Sequence, residues 1–500
     1  MPDAADPAPF TTVIGLEVHV QLLTRTKLFC GCPTTFGAPP NTQVCPVCLG
    51  LPGSLPVMNR TAFQLALRAA LALDCTIAPF TKWDRKNYYY PDLPKGYQIS
   101  QYDLPFSTDG VLEVVDPKGA FAPRRVGIIR VHLEEDAGKS MHDETSGTAD
   151  SRIDLNRAGT PLVEIVTQPD LRSPQEARAW LNELKLLLVY LGVSDCNMQE
   201  GSLRVDANVN LHVPRSGGGT AKTPIVEIKN MNSFRSVERA LAYEAARQWD
   251  EWQRTGVEMG AAPKQTRGWD DAAGITRGQR HKEESSDYRY FPDPDLVPVT
   301  VSADELAAIR AAMGDPPTVL RATLAATWSI PPADAAVIVA QGRDVVAYFD
   351  SVARLVGEGK PAANWLQQDV LRTINERGGT IGTFPVGPEA LADLIGRVSR
   401  GDFDTGRGRE IFAGLLALGR PATPADVAAA VDALGIAAVS DDDLEALVRD
   451  LLAANPKIVA DVRGGKEQAA AGLIGQARKK NPNVTPAKVR ETALRVIRGS

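Results

Sequence analysis

The sequence predicts an α+β chain: a domain of mixed or antiparallel sheet with helices, followed by an all-α region. Three observations carry this expectation. Up to residue 298, segments that alternate apolar and polar residues recur among segments of helical period. The stretch Tyr288 to Pro298 then brings Pro292, Pro294 and Pro298 close together, which breaks regular structure. Beyond it Ala, Leu, Val, Asp and Arg recur at helical spacing, with turns at Gly and Pro. A chain of 500 residues exceeds one ordinary core, so domains are expected at 1–298, 299–424 and 425–500.

Thr12 to Leu22, TVIGLEVHVQL, alternates as a strand does and puts Glu17, His19 and Gln21 on one face. Further strands are expected at Val111–Val115, Val126–Leu133, Leu162–Val166, Leu203–Leu211 and Ile225–Lys229. Helices are expected at Arg60–Leu73, Ser173–Leu191 and Phe234–Thr255, and Ser173-Pro174 is an N-cap followed by proline at the first helical position. Gly217 to Gly219 reads as a flexible hairpin tip, and it lacks the pattern of a phosphate-binding loop. In the helical region a Gly-rich loop is expected at Gly401–Gly408 and a linker at Gly419–Pro424.

Composition is that of a soluble globular protein, with 44% hydrophobic and 23% charged residues. No apolar run approaches the ~20 residues of a membrane span, and the start MPDAADPAPF has neither the basic head nor the apolar core of a signal peptide. A cytoplasmic protein without membrane contact is expected. The net charge of -6 hides an asymmetry: Asn455 to Ser500 holds ten Lys or Arg against three Asp or Glu. That basic tail is a candidate for contact with a phosphate backbone.

Four of the six cysteines form a set: Cys30 and Cys32 as C-x-C, then Cys45 and Cys48 as C-x-x-C. In a cytosolic chain four thiolates in two close pairs suit tetrahedral Zn²⁺, and four protein ligands leave no position for substrate. Such a site would staple the Pro- and Gly-rich loop Phe29 to Gly53. Two pairs of reduced cysteines are the alternative.

The segment Asp84 to Asp103, DRKNYYYPDLPKGYQISQYD, holds half of the ten tyrosines together with Arg85, Lys86 and Lys95. Flat amphipathic rings beside mobile ammonium groups suit a ligand with both rings and phosphates, while a Tyr-rich edge strand closed by a Pro-Asp turn is the plainer reading. Near it in character are Glu17 and His19, and His132 followed by Glu134, Glu135 and Asp136. Clustered carboxylates repel unless a cation neutralises them, and carboxylates with a minority of imidazole suit Mg²⁺ or Mn²⁺. Asp206 and Glu227 are further acidic residues on expected strands, beside Arg204, Asn208 and Lys229. Each alone reads as a solvated residue or a salt-bridge partner; together they point to a metal-nucleotide site.

The motifs VIGLEVHVQL, DRKNYYYPDLPKGYQISQYD, RVHLEEDAGKS, DLNRAGTPLVEIV, EGSLRVDANV, EIKNMNSFRSVERA and SDYRYFPDPDLVP appear in the order seen in the B subunits of bacterial aspartyl/glutamyl-tRNA amidotransferases (GatB). The chain resembles that family over nearly its whole length, and the tail with GGKEQAAAGLIGQARKKNP resembles the family's YqeY-like module. The resemblance implies a catalytic cradle, a helical domain and a small helical tail. It implies ATP-dependent phosphorylation of the side-chain carboxylate of Glu-tRNA(Gln) or Asp-tRNA(Asn), followed by amidation with ammonia.

By the same resemblance, Glu17, His19, Glu134 or Glu135, Asp206 and Glu227 line Mg²⁺ or Mn²⁺ sites. Lys86, Tyr88 and Lys95 contact the phosphates or the aminoacyl end, with Arg204 and Asn208 as nucleotide-side candidates. Glu17, His19 and Glu135 are the leading ligands, and the cysteine quartet matches the family's structural zinc site. Ammonia is implied to come from an amidase A subunit, since the amidase's Gly/Ser-rich segment does not occur here, and a small C subunit completes a heterotrimer. Misacylated tRNA(Gln) or tRNA(Asn) is the macromolecular substrate, and a non-discriminating aminoacyl-tRNA synthetase is a further candidate partner. No synthetase-like insertion marks the chain as the related archaeal E subunit. The competing readings are a non-catalytic, zinc-stabilised tRNA-binding scaffold and a stand-alone ligase using free ammonia.

Overall fold

Thr11–Gln21 lies at the centre of a ten-stranded sheet because its alternation serves two environments. Ile14, Leu16, Val18 and Val20 are buried in the core, and Glu17, His19 and Gln21 project from the opposite face. The computed structural model describes residues 9–116, 119–142, 151–279, 288–436 and 439–499. The start of the chain, on which the expectation about a leader rests, lies outside the described residues, as do Ser286 and Asp287 of the SDYRYFPDPDLVP motif.

The central strand pairs antiparallel with Leu203–Pro214 on one side and Pro161–Thr167 on the other. Beyond Pro161–Thr167 come Arg124–Glu135, Ser107–Val114 and Thr76–Ile77; beyond Leu203–Pro214 come Val226–Lys229, Gln265–Asp270 and Ile275–Gly278. Val226–Lys229 and Gln265–Asp270 run parallel, so the sheet is mixed. Every strand expected from alternation is present, with its ends moved by a few residues; Ile225–Lys229 is shortened to Val226–Lys229.

Three helices, Arg60–Ala72, Pro174–Tyr190 and Phe234–Thr255, supply Phe63, Trp180, Leu184 and Leu241 to the same core as the apolar face of the sheet. Ser173 accepts a hydrogen bond from Glu176 N at 3.1 Å, as the sequence predicts for an N-cap before Pro174. Burying each large aliphatic side chain contributes about 1.5–3 kcal/mol. With one face committed to that core, the other face is left for polar side chains.

Asp84–Asn87 pairs with Tyr97–Ser100, and Phe291–Pro292 adds a third strand, so the Tyr/Lys segment is a hairpin in a small separate sheet. The loop between its strands carries Tyr88 to Gly96.

The chain divides into two compact units, Met1–Pro317 and Thr318–Ser500. The first extends past residue 298 to include the helix Ala303–Met313, whose Ile309 joins the core. The second unit is helical, and Leu444, Val448, Leu451, Val489, Ala493 and Ile497 form a core of its last part. The expectation of a loop at Gly401–Gly408 is corrected: Gly401, at φ 80°, ends one helix, but Asp404 caps a new one, Thr405–Leu416. Gly408 is glycine for packing, since a Cβ there would lie 2.9 Å from Val398 and 3.2 Å from Trp365. No described helix is long and apolar enough to cross a membrane.

Candidate active site on the polar face of the sheet

Register places four functional groups in one row across the sheet. Arg204 lies opposite His19, His19 opposite Glu164, and Glu164 opposite His132. One step along, Glu17 pairs with Asp206; on the other side Gln21 faces Leu162, which faces Glu134. Opposed residues in a sheet share a face, so the register alone gathers carboxylates and imidazoles from distant parts of the sequence.

Glu164 is the hub. Its Oε2 lies 3.4 Å from His19 Nε2 and 3.4 Å from His132 Nε2, while Glu134 lies 4.0 Å from His19 and 3.6 Å from His132. Burial disfavours a charged His19, but the hydrogen bond and charge of Glu164 and the charge of Glu134 outweigh it and raise the imidazole pKa above 6.5. Burial also works against ionised Glu164, yet His132, His19 and Lys86 hold its pKa well below the ordinary value. Among the described residues His132 Nδ1 is buried without a hydrogen-bond partner, and Nε2 is the nitrogen directed toward the two carboxylates.

Donor atoms of His19, Glu134 and Glu164 lie within 4.8 Å of one another. One imidazole and two carboxylates form a hard, oxygen-rich set that fits Mg²⁺ or Mn²⁺. The set faces a cleft of about 400 Å³ whose walls include Lys86, Tyr88, Arg204, Asp206 and Lys229. Lys86 Nζ rests 4.8 Å from the centre of the Tyr288 ring. Asp136 anchors the cleft: it accepts from Arg204 at 2.7 Å and Gln21 at 2.8 Å, and pairs with Arg157 at 3.5 Å.

Glu17, Asp206 and Glu227 share this face but are held differently. Asn208 donates to Glu17 at 3.0 Å, and Lys229 lies 2.5 Å from Asp206 and 3.4 Å from Glu227. Burial, then the charges of Glu164 and Glu227, raise the Glu17 pKa, whereas Lys229 and Lys264 overcome burial to lower that of Glu227. Among the described residues these three carboxylates do not form a ligand-spaced group; Lys229 supplies positive charge to the last two.

Glu135 and Lys95 stand elsewhere. As the neighbour of Glu134 on the strand, Glu135 points to the opposite face, where it pairs with Lys95 and accepts from Ile99 N at 2.9 Å. The structure therefore places Glu134, and not Glu135, with His19, and it separates Lys95 from Lys86. Glu135 as a leading ligand beside His19 is corrected on this geometry.

The four cysteines Cys30, Cys32, Cys45 and Cys48 bring their sulfurs within 4.8 Å of one another. The Cys48 thiol is pushed down to about 4, because the hydrogen bond from Cys30, the Cys45 amide and the charge of Lys27 together outweigh burial. The hydrogen bond to Cys48 and burial push the Cys30 thiol up, and burial with the hydrogen bond to Cys45 pushes Cys32 up to about 11; four sulfurs at this spacing suit the tetrahedral coordination of Zn²⁺. The remaining cysteines, Cys75 and Cys196, are buried, and burial raises both thiols, Cys75 to about 12 and Cys196 to about 11.

Sequence reasoning passes over Glu164, Asp136 as a cleft anchor, and Arg157. The signal for Glu164 is a lone charge in the otherwise uncharged strand PLVEIVT, since a charged residue amid such a run needs a polar partner.

The family model of the GatB/GatE catalytic domain matches residues 12–307, and that of a GatB domain matches residues 347–496. The chain is 57% identical over 489 residues to the aspartyl/glutamyl-tRNA(Asn/Gln) amidotransferase B subunit of Rhodopirellula baltica, covering 98% of this chain and 97% of that protein. Proteins of the same name from Moorella thermoacetica and Thermomicrobium roseum are 47% and 48% identical, each covering 94% of this chain and 96% and 95% of their own lengths. The chain thus belongs to the GatB/GatE class and, within it, to the family of aspartyl/glutamyl-tRNA(Asn/Gln) amidotransferase B subunits.

Proposed function

We propose that this chain is the catalytic subunit of a glutamine-dependent aminoacyl-tRNA amidotransferase, a ligase forming carbon–nitrogen bonds within a complex. The substrate is Glu-tRNA(Gln), Asp-tRNA(Asn) or both. In the first step the side-chain carboxylate oxygen attacks the γ-phosphorus of ATP and ADP leaves. In the second, ammonia attacks the acyl carbon, phosphate departs with the C–O bonding pair, and a proton is lost. A carboxylate is a poor acyl donor until its oxygen becomes a leaving group, and that fixes the order.

The observation that carries this reading is the convergence of His19, Glu134 and Glu164 in a cleft walled by Lys86 and Arg204. These three residues would hold Mg²⁺ or Mn²⁺, which supplies charge neutralisation for phosphoryl transfer. Lys86 and Arg204 offer cations to phosphate oxygens, and Tyr88 supplies a wall against water. Glu17, Asp206 and Glu227, with Lys229 and Asn208, offer a second acidic patch along the same face. The cysteine quartet holds structural Zn²⁺. Ammonia comes from an amidase A subunit in a heterotrimer with a small C subunit, in the cytoplasm.

The test is single-turnover transfer from γ-labelled ATP to misacylated tRNA by the assembled complex. Glu164→Gln and His19→Ala should each slow phosphorylation by at least about 100-fold while leaving tRNA affinity near the wild-type value. Undiminished phosphorylation would favour the scaffold reading instead.

A further inference from the structure

A buried lysine stands where the cysteine quartet meets the sheet. Lys27 is 0% exposed, and its Nζ lies 3.5 Å from Cys48 Sγ and 3.4 Å from the Leu155 carbonyl oxygen. Those partners are a sulfur and a neutral carbonyl. An ammonium taken out of water with no anion beside it costs several kcal/mol, and a thiolate at Cys48 would supply that anion. Glu135 meets Lys95 and Ile99 N through Oε1 and lies beyond ion-pair distance of Lys27. The three groups converge on Gly159, where an added Cβ would meet Lys27 Cδ at 3.4 Å, Cys48 Cβ at 3.6 Å and Glu135 Oε2 at 3.7 Å.

The charge requirement has a counterpart in the metal site. Four thiolates around Zn²⁺ leave two surplus negative charges in a partly dry loop, and one ammonium removes half of that surplus. Lys27 reaches in the other direction as well. Its contact with Leu155 falls in a segment that is fastened to the cysteine loop by other bonds: Asn41 N donates to Asp154 Oδ1 at 3.1 Å, Leu155 N to Asn41 Oδ1 at 2.8 Å, and Gln43 N to Asn156 Oδ1 at 2.8 Å. Leu28 N donates to Gly159 O, and Gly159 N to Asp136 O, both at 2.8 Å. The segment then enters Pro161–Thr167, the strand that carries Glu164.

We propose that Lys27 is the charge-balancing partner of a metal-bound cysteine quartet and a positioning residue that ties the quartet to the segment leading into the Glu164 strand. This rests on the reading of the quartet as a zinc centre. Lys27 touches no substrate in this account; it acts through the thiolates and through the Leu155 carbonyl.

The experiment compares the wild-type chain with Lys27→Met in the assembled complex. Zinc release to a chromogenic chelator and the thiolate-to-metal absorption band of the cobalt-substituted protein are measured, with circular dichroism as the check on folding. Lys27→Met should yield zinc to the chelator about 10–100-fold more readily. Its cobalt band should move to lower energy, because thiolates that lose a neighbouring cation donate more strongly. A folded variant that keeps zinc and the cobalt band as the wild type does overturns the proposal. If Lys27→Met does not fold, amine acylation of the wild type decides: Lys27 should resist the reagent with zinc bound and react once zinc is chelated. Equal labelling in the two states also overturns the proposal. A wild-type chain that binds no zinc overturns the zinc reading itself.

Discussion

Glu134 and Glu135 leave the same strand on opposite faces: Glu134 lies 4.0 Å from His19 Nε2, whereas Glu135 accepts from Ile99 N at 2.9 Å and pairs with Lys95. Two adjacent residues of the same type therefore have different consequences when changed. Glu134→Gln should weaken Mg²⁺ binding, raising the half-saturating metal concentration about 10–100-fold with little change in melting temperature. Glu135→Ala should instead destabilise the first unit by about 3–5 kcal/mol, because it leaves Lys95, 7% exposed, without its anion. Metal titrations and denaturant unfolding of the two variants separate the effects.

Acid sensitivity should report Asp136. Burial opposes its charge, but Arg204, Arg157 and Gln21 hold its pKa below the ordinary 3.8. A depressed carboxylate contributes stability that is present above the unfolded-state pKa and lost as pH falls through the lower folded value. Asp136→Asn should cost about 2–3 kcal/mol at neutral pH, the worth of hydrogen bonds to a charged group. Denaturant midpoints measured as a function of pH should show the gap between variant and wild type closing below about pH 3.8.

Metal removal should loosen the loop more than the sheet. With the quartet stripped, or with Cys45→Ser, limited proteolysis should cut between Cys30 and Cys48 at least about 10-fold faster, since local opening then lacks its cross-link. Cleavage within the strand Thr11–Gln21, which is paired on both sides, should not change.

The basic tail is best tested by charge and not by truncation, because a cut at Asn455 would split the core that joins Leu444, Val448 and Leu451 to Val489 and Ile497. Lys479 and Lys480 are exposed. Replacing both with Gln should weaken tRNA binding, and the slope of log affinity against log salt should become shallower by about one for each lysine that meets a phosphate. An unchanged slope in filter-binding or fluorescence titrations would show that this pair is only solvated.

The long strands and three helices of the first unit were legible because alternation and helical period report burial directly: Ile14, Leu16, Val18 and Val20 could only face one way. The pairing of distant strands was not legible. Nothing local in PLVEIVT says that Glu164 will lie between His19 and His132, since register is decided by long-range contact. The loop expected at Gly401–Gly408 failed for a related reason: Gly408 serves a close approach to Trp365, which sequence spacing does not display. The choice between Glu134 and Glu135 was open in sequence because two carboxylates in a row interrupt the alternation of Val131, His132 and Leu133 at the strand's end. Only the chain's pairing with Pro161–Thr167 fixes it.

That pairing makes the strand Arg124–Glu135 sensitive to counting as well as to chemistry. A deletion of one residue just before Glu134 would preserve both carboxylates. It would nevertheless turn Glu134 toward the core side and deliver Glu135 to the imidazoles. Substitution at either glutamate is a local event; a change of length there exchanges an acid meant for the cleft with one meant for a lysine, so deletions and insertions in this strand should be less tolerated than most point changes in it.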